Sequence, residues 1–157
     1  MTLLRPITPA DHAAVLAINA RHVAMLSPLD EARLAWLLGL AAHGSVIEVE
    51  DPDGLDQQVA GFVLAFAPGT PYDSENYRWF SQRYDDFLYL DRIAIDPAFR
   101  RRGLATAAYD ELEALAGPRM VLEVNDDNAT SLAFHLGRGY ADVGRERHVV
   151  LMAKDLV

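Results

Sequence analysis

Apolar residues change their spacing several times along this chain, and each change marks an element. Thr2 to Ile7 is a short apolar-rich run that predicts a first strand. Thr8-Pro9-Ala10-Asp11 then predicts a helix start, with Thr as N-cap, Pro at the first helical position and an acid three residues after the cap. Val15, Ile18, His22 and Met25 recur at helical spacing and carry that helix up to Ser27-Pro28. Asp30 caps a second helix with the stripe Leu34, Leu37, Leu38 and Ala41, which ends near His43-Gly44. The period then becomes that of strands. Val46, Ile47 and Val49, the turn Asp51-Pro52-Asp53-Gly54 and the returning run from Gln58 to Ala67 predict a hairpin. Pro68 to Pro71 opens a loop, and Tyr72 to Tyr84 is polar and aromatic without a clear period. Phe87 to Ile95 predicts a strand closed by Asp96-Pro97, and Leu104, Ala108, Leu112 and Leu115 a helix from Gly103 to Ala116. Met120 to Val124 reads as a strand, Asn128 to Arg138 as a helix, and Tyr140 to Ala153 as two closing strands. The predicted order is β-α-α-β-β-β-α-β-α-β-β, an α/β (α+β) chain without repeats or interior linkers.

Composition narrows the classes. With 157 residues the chain suits one domain, residues 1–157, large enough to bury a core without disulfide or metal staples. At 51% hydrophobic and 24% charged residues it is neither disordered nor fibrous. It has no cysteine, which excludes a thiol nucleophile, zinc fingers and Fe–S ligation. The net charge of -9 disfavours nucleic acid and anionic lipid and suits amine-bearing ligands. Met1 to Pro6 lacks the basic-then-apolar pattern of a signal peptide, and no apolar run approaches the ~18 residues a membrane span needs. These features predict a soluble, cytoplasmic protein.

The segment Asp91 to Thr106 carries the most chemistry. A strand of buried type runs into Arg100-Arg101-Arg102-Gly103-Leu104-Ala105-Thr106, where a helix begins. Helix-start N–H groups carry partial positive charge, glycine admits a ligand to the main chain, and three arginines add charge, so this reads as an anion site; a solvated arginine patch with Gly103 as a turn is the structural alternative. It is neither a P-loop nor a dinucleotide fingerprint, since their spaced glycines are absent. Further on, Asn128, Ser131 and His135 are spaced by three and four residues and share one helix face. By strand alternation Asp91 is expected on the same side as Tyr89, Ile93 and Ile95.

These segments resemble a known family. Asp96 to Ala105, with the core Arg100-x-x-Gly103-x-Ala105, is similar to the acyl-CoA signature of the GNAT acetyltransferase superfamily. Asn128 to Tyr140 resembles that family's Asn-x-x-Ala-x-x-Phe-Tyr-x-x-x-Gly-Phe element. The resemblance implies a mixed, mostly antiparallel twisted sheet flanked by helices. It also implies acetyl-CoA as cofactor and transfer of its acetyl group to a primary amine by direct attack. The backbone of Ile93, Ala94 and Ile95 would then pair with the pantetheine arm. Arg100 and the amides from Arg101, Arg102, Gly103, Leu104, Ala105 and Thr106 would cradle the pyrophosphate, and Asn128 and Ser131 would lie beside the arm. The family's general acid, a tyrosine, is replaced by His135, which can also donate a proton near neutrality, packing and hydrogen bonding among aromatic residues being its structural alternative. Two carboxylates offer a base: Glu123, where some relatives carry theirs, and Asp91. An arginine partner for Asp91, or a solvent-facing Glu123, are the structural alternatives.

The acceptor side would draw on Asn19, His22 and Tyr84, with Tyr72, Tyr77, Trp79 and Phe80 as a further aromatic group able to cage a cation or simply to pack. A small-molecule amine is the expected partner rather than a protein. No nucleic acid, membrane or metal is expected, since His22 and His135 lack a third ligand at metal-like spacing. Dimers are frequent in this superfamily, and the closing strands are where a homodimer would pair. A different class of reading is a non-catalytic acyl-CoA-binding or sensing module, motivated by His135 in place of tyrosine.

Overall fold

Two hydrophobic cores, one on each face of a single sheet, organise the chain. The computed structural model describes residues 3–51 and 53–156; Met1 and Thr2 of the expected first strand, Pro52 of the expected turn and Val157 lie outside the described residues. The strands are β1 (Leu4–Pro6), β2 (His43–Glu50), β3 (Gln57–Phe66), β4 (Leu88–Ile95), β5 (Arg119–Asn125), β6 (Ala141–Glu146) and β7 (Val149–Asp155). They form one sheet in the order β1-β2-β3-β4-β5-β7-β6. Every neighbouring pair is antiparallel except β4–β5. The helices are α1 (His12–Ala20), α2 (Glu31–Leu40), α3 (Glu75–Ser81), α4 (Leu104–Leu115) and α5 (Ala129–Gly137). No helix among the described residues is long and apolar enough to cross a membrane.

On one face, Val15 and Ile18 of α1, Leu34 and Leu37 of α2 and Phe80 of α3 pack on Phe62, Tyr89 and Val121. On the other, Leu104, Ala108 and Leu112 of α4, with Leu132 and Phe134 of α5, pack on Leu88, Leu90, Met120 and Leu122. Each fully buried leucine contributes about 1.5–3 kcal/mol, so both layers are held firmly to the sheet.

Three elements differ from the sequence expectation. The first helix ends at Ala20 instead of running to Ser27. Polar contacts across the fold outweigh continuation of its periodicity: Asn19 Nδ2 and Arg92 Nη1 donate to the Ser27 carbonyl at 3.0 and 2.6 Å, drawing the chain off the helix axis. The segment without a clear period contains α3, whose N-terminus is capped by Ser74 Oγ accepting from the Tyr77 N–H. Its seven residues bury only Tyr77 and Phe80, too short a stripe to stand out.

The third difference shapes the site. Leu64 pairs with Arg92 but Ala65 pairs with Leu90, which leaves Asp91 as the extra residue of a β-bulge. The bulge reverses the alternation of β4. Phe87, Tyr89 and Ala94 face the α1–α3 side, whereas Leu88, Leu90, Ile93 and Ile95 face α4 and α5. Asp91 therefore does not share a side with Ile93 and Ile95. Past the bulge β4 leaves its parallel neighbour: only Leu88–Met120 and Tyr89–Val121 are paired, and beyond them the two strands part.

Candidate active site

The parting of β4 and β5 leaves unpaired strand edges facing a gap, and the gap opens into a cavity of about 410 Å³. Side chains reach it from both faces of the sheet, among them Asp91, Glu123, Asn128, Ser131, Tyr109 and His135. The Asp96 N–H donates to the Ala60 carbonyl at 2.7 Å. Since hydrogen-bonding groups alternate along a strand, Ala94 also turns its amide and carbonyl to β3 and the backbone of Ile93 and Ile95 faces the gap. Gly61 opposite permits this: a Cβ there would lie 2.4 Å from the Ala94 carbonyl oxygen. Of the three residues expected to line a pantetheine arm with their backbones, Ala94 is thus turned away. The Ile95 carbonyl is already engaged by His22 Nε2 at 2.9 Å.

The gap continues into a cavity of about 330 Å³ that includes Phe99, Arg100, Arg101, Gly103, Ala105 and Thr106. Gly103 is the N-cap of α4 with φ 71°, a left-handed conformation that costs glycine little. The first turn bond of α4 runs from the Ala107 N–H to the Gly103 carbonyl, so the amides of Leu104, Ala105 and Thr106 remain free to face an anion. Arg100, Arg101 and Arg102 are exposed around this rim. Free amides, helix dipole and guanidinium groups together fit a pyrophosphate, and the unpaired edges of the gap fit an extended amide-bearing arm.

On the α1–α3 side, Tyr89 Oη donates to both carboxylate oxygens of Glu123, at 2.8 and 2.7 Å. Burial, then the negative charge of Asp91, push the Glu123 carboxyl up to about 8. Asp91 accepts from Tyr72 Oη at 2.9 Å and from Arg92 Nε at 3.1 Å. Its own pKa is raised by burial, against the opposing pull of Arg92. Asp91 is committed to partners, while Glu123 has a hydroxyl on one side and the cavity on the other. A second cavity of about 310 Å³ adjoins it, walled by Met25 to Pro28 and by Tyr72 to Ser74, with Asn76, Asp91 and Glu123 at the junction. Its outer wall carries the two-bond pair of Arg33 with Asp73, at 3.0 and 2.7 Å.

On the α4–α5 side, His135 is buried, and its Nδ1 lies 2.7 Å from the Ser131 carbonyl. That oxygen only accepts, so Nδ1 carries the proton and Nε2 is an acceptor, 2.6 Å from Tyr109 Oη. Burial lowers the His135 pKa below its ordinary value.

The candidate residues thus separate. Asp91, Glu123, Ile93, Asn128, Ser131, His135 and His22 come together in the main cavity. Asn128 caps α5, its Oδ1 accepting from the Ser131 N–H at 3.1 Å. Asn19 is buried behind the wall, bound to Ser27 and Arg92, and shapes the chain without facing the cavity. Tyr84 lies elsewhere, stacked near Phe80 beneath the Arg119 guanidinium and lining a different hollow. Tyr77 and Phe80 are core, and of the aromatic group only Tyr72 offers the site a polar atom. Among the described residues there is no cluster able to hold a metal. The periodicity gave no sign of Tyr109; one polar hydroxyl beside the Leu104–Ala108–Leu112 stripe was the available signal, because buried tyrosines require a partner.

Residues 18–140 match the model of the Acetyltransferase (GNAT) family. No curated protein matches the chain in sequence. Solved structures share the fold. A protein assigned as a phosphinothricin N-acetyltransferase is 21% identical, with 98% of each chain covered and a TM-score of 0.69. The ribosomal-protein-S18-alanine N-acetyltransferase of Escherichia coli is 19% identical, covering 99% of this chain and 94% of its own, with a TM-score of 0.66. NAA60 of Arabidopsis thaliana, solved with acetyl-CoA, is 17% identical over 97% of both chains, with a TM-score of 0.70.

Proposed function

Because the chain belongs to the GNAT acetyltransferase family, and is an acyl-CoA-dependent acetyltransferase, we propose that it acetylates the primary amine of a small molecule with Glu123 as the base. The observation that carries this reading is the junction at Glu123, where the gap between β4 and β5 meets the walled cavity of about 310 Å³. A volume of that size suits a small ligand. The Arg33–Asp73 pair narrows its outer wall, which favours a compact amine over an extended peptide.

When bound, acetyl-CoA supplies an acetyl thioester. The free amides at the start of α4 and Arg100 to Arg102 hold the pyrophosphate end, and the Ile93 and Ile95 edges hold the arm. The Ile93 N–H faces the gap, where it serves the carbonyl oxygen as a hydrogen-bond donor. An ammonium acceptor has no lone pair, so Glu123 in its ionised form removes a proton before attack. Asp91, fixed between Tyr72 and Arg92, adds negative charge that draws the ammonium inward and keeps the Glu123 pKa high enough for that transfer. Direct attack suffices: cysteine is absent, and the Ser131 hydroxyl, 3.3 Å from His135 Nδ1, faces a nitrogen whose proton is held by the Ser131 carbonyl and which therefore cannot serve it as a base.

Calorimetric titration with acetyl-CoA, followed by thiol release against small amines and peptides with free N-termini, tests the reading. Binding with release driven by small amines is the expected result. Release driven only by peptides would move the acceptor class to proteins.

A further inference from the structure

The departure of His135 from the family's tyrosine has a counterpart on the preceding helix. We propose that Tyr109, carried on α4, is the proton donor to the departing thiolate, and that His135 on α5 is a positioning residue that holds the Tyr109 hydroxyl by accepting its hydrogen bond. The proposal rests on the acetyl transfer proposed above.

Both nitrogens of His135 are occupied. Nδ1 donates to the Ser131 carbonyl at 2.7 Å, and Nε2 accepts from Tyr109 Oη at 2.6 Å. Neither is free to turn a proton toward the cavity. The Tyr109 hydroxyl is different, because its torsion about the C–O bond allows the proton to point either at Nε2 or into the space that Tyr109 lines. A thiolate is charged, and charged acceptors form the stronger hydrogen bonds. Development of that charge would turn the proton from the imidazole to the sulfur.

The ring is fixed for this task. Phe134, His135 and Tyr140 meet it edge-on, at centroid distances of 5.3, 5.4 and 6.2 Å. The Arg138 guanidinium lies over its face at 5.3 Å and is itself held by Asp110 and Glu113. Burial raises the Tyr109 pKa, so the hydroxyl keeps its proton throughout the neutral range and remains a donor. Tyr109 stands on the α4–α5 side of the gap and Glu123 reaches it from the other face of the sheet. Proton removal from the amine and proton delivery to sulfur are thereby separated in space.

The step balances. The acceptor nitrogen bonds to the acetyl carbon, the carbon–sulfur bond breaks with its electron pair on sulfur, and sulfur takes the Tyr109 proton. The ammonium sheds two protons in becoming an amide. One leaves to solvent through Glu123 and the other restores the phenol.

The test uses the whole chain, with Y109F and H135L compared with the unsubstituted protein. Single-turnover thiol release from acetyl-CoA should fall about 100-fold in Y109F and about tenfold in H135L, with acetyl-CoA affinity within twofold in both. The second measurement needs no turnover: the ultraviolet titration of the CoA thiol in the protein–CoA complex. A donor to sulfur stabilises the thiolate, so Y109F should shift that titration to higher pH. A Y109F rate within threefold of the unsubstituted protein, or an unmoved thiol titration, overturns the proposal. Should Y109F fail to fold, H135L carries the test, and unchanged rate and thiol titration there are equally fatal. An unsubstituted protein that releases no thiol with any amine would instead sink the transferase reading, while the thiol titration still reports whether Tyr109 touches sulfur.

Discussion

The cavity has two proton-handling sides, and burial acts on them with opposite signs. On the α1–α3 side Glu123 is pushed up to about 8, while on the α4–α5 side His135 is pushed down. Each has a tyrosine hydroxyl against it, Tyr89 for the acid and Tyr109 for the imidazole. Desolvation favours the uncharged form of both groups. The consequences diverge. A neutral Glu123 carries the one proton that keeps it from being a base, and loses that proton close to physiological pH. A neutral His135 is already the acceptor that orients Tyr109. The same physical force readies one group for chemistry and fixes the other as scaffold.

The strongest way to break this comparison is to remove the base. E123Q keeps the shape and a partner for Tyr89 but cannot accept a proton. Turnover in the thiol-release assay should fall about 100-fold or more, with acetyl-CoA affinity unchanged. Retention of near-normal turnover would transfer the role to Asp91 or to water. Next in size, R101E/R102E should weaken acetyl-CoA binding about tenfold or more by calorimetry, with the melting temperature little altered, since both side chains are exposed. This variant acts on the cofactor end alone, so the pH dependence of the acetyl transfer step should not move with it.

A smaller effect sharpens the base side. Asp91 raises the Glu123 pKa by its charge. D91N should therefore move the rising limb of kcat/KM below 8, increasing the active fraction at pH 7 even if the plateau falls. A limb that stays in place would mean that burial alone sets it. The plateau is expected to fall, because Arg92 loses its carboxylate partner inside the fold.

The cofactor end could be read from sequence because it is built from consecutive residues. Arg100 to Thr106 place a turn, a positive-φ glycine and free helix amides in one stretch, and the chemistry follows from backbone geometry. The proton-handling sides join distant residues: Tyr89 with Glu123, Tyr72 with Asp91, Tyr109 with His135. Spacing along one element could place Asn128, Ser131 and His135 on a face, but not say what stands opposite. The β4 strand was legible and its faces were not, because one bulge at Asp91 reverses every side chain beyond it. Tyr84 and Asn19 have the residue types of an acceptor site and lie in the right segments. Packing sent one to the far end of the sheet and the other into the wall.

The smallest expected effect is thermodynamic, and its sign is opposite to that of an ordinary ion-paired carboxylate. The folded protein holds the Glu123 proton up to about 8, whereas the unfolded chain loses it near the ordinary carboxyl value of 4.5. Between those values the native state binds more protons than the unfolded state, so this group's contribution makes stability fall as pH rises. Below about 4.5 the group contributes nothing to the pH dependence, and above about 8 its cost is complete. Asp11 works the other way: its carboxyl is held far below the usual range by Arg5, so it adds stability that is lost only in acid. Glutamine at position 123 does not titrate. The melting temperature of E123Q relative to the unsubstituted protein should therefore rise from pH 5 to about pH 8 and level off above it. A difference that is flat across that range would mean that Glu123 is ionised in the resting fold, and the contrast drawn between the two sides of the cavity would lose its physical basis.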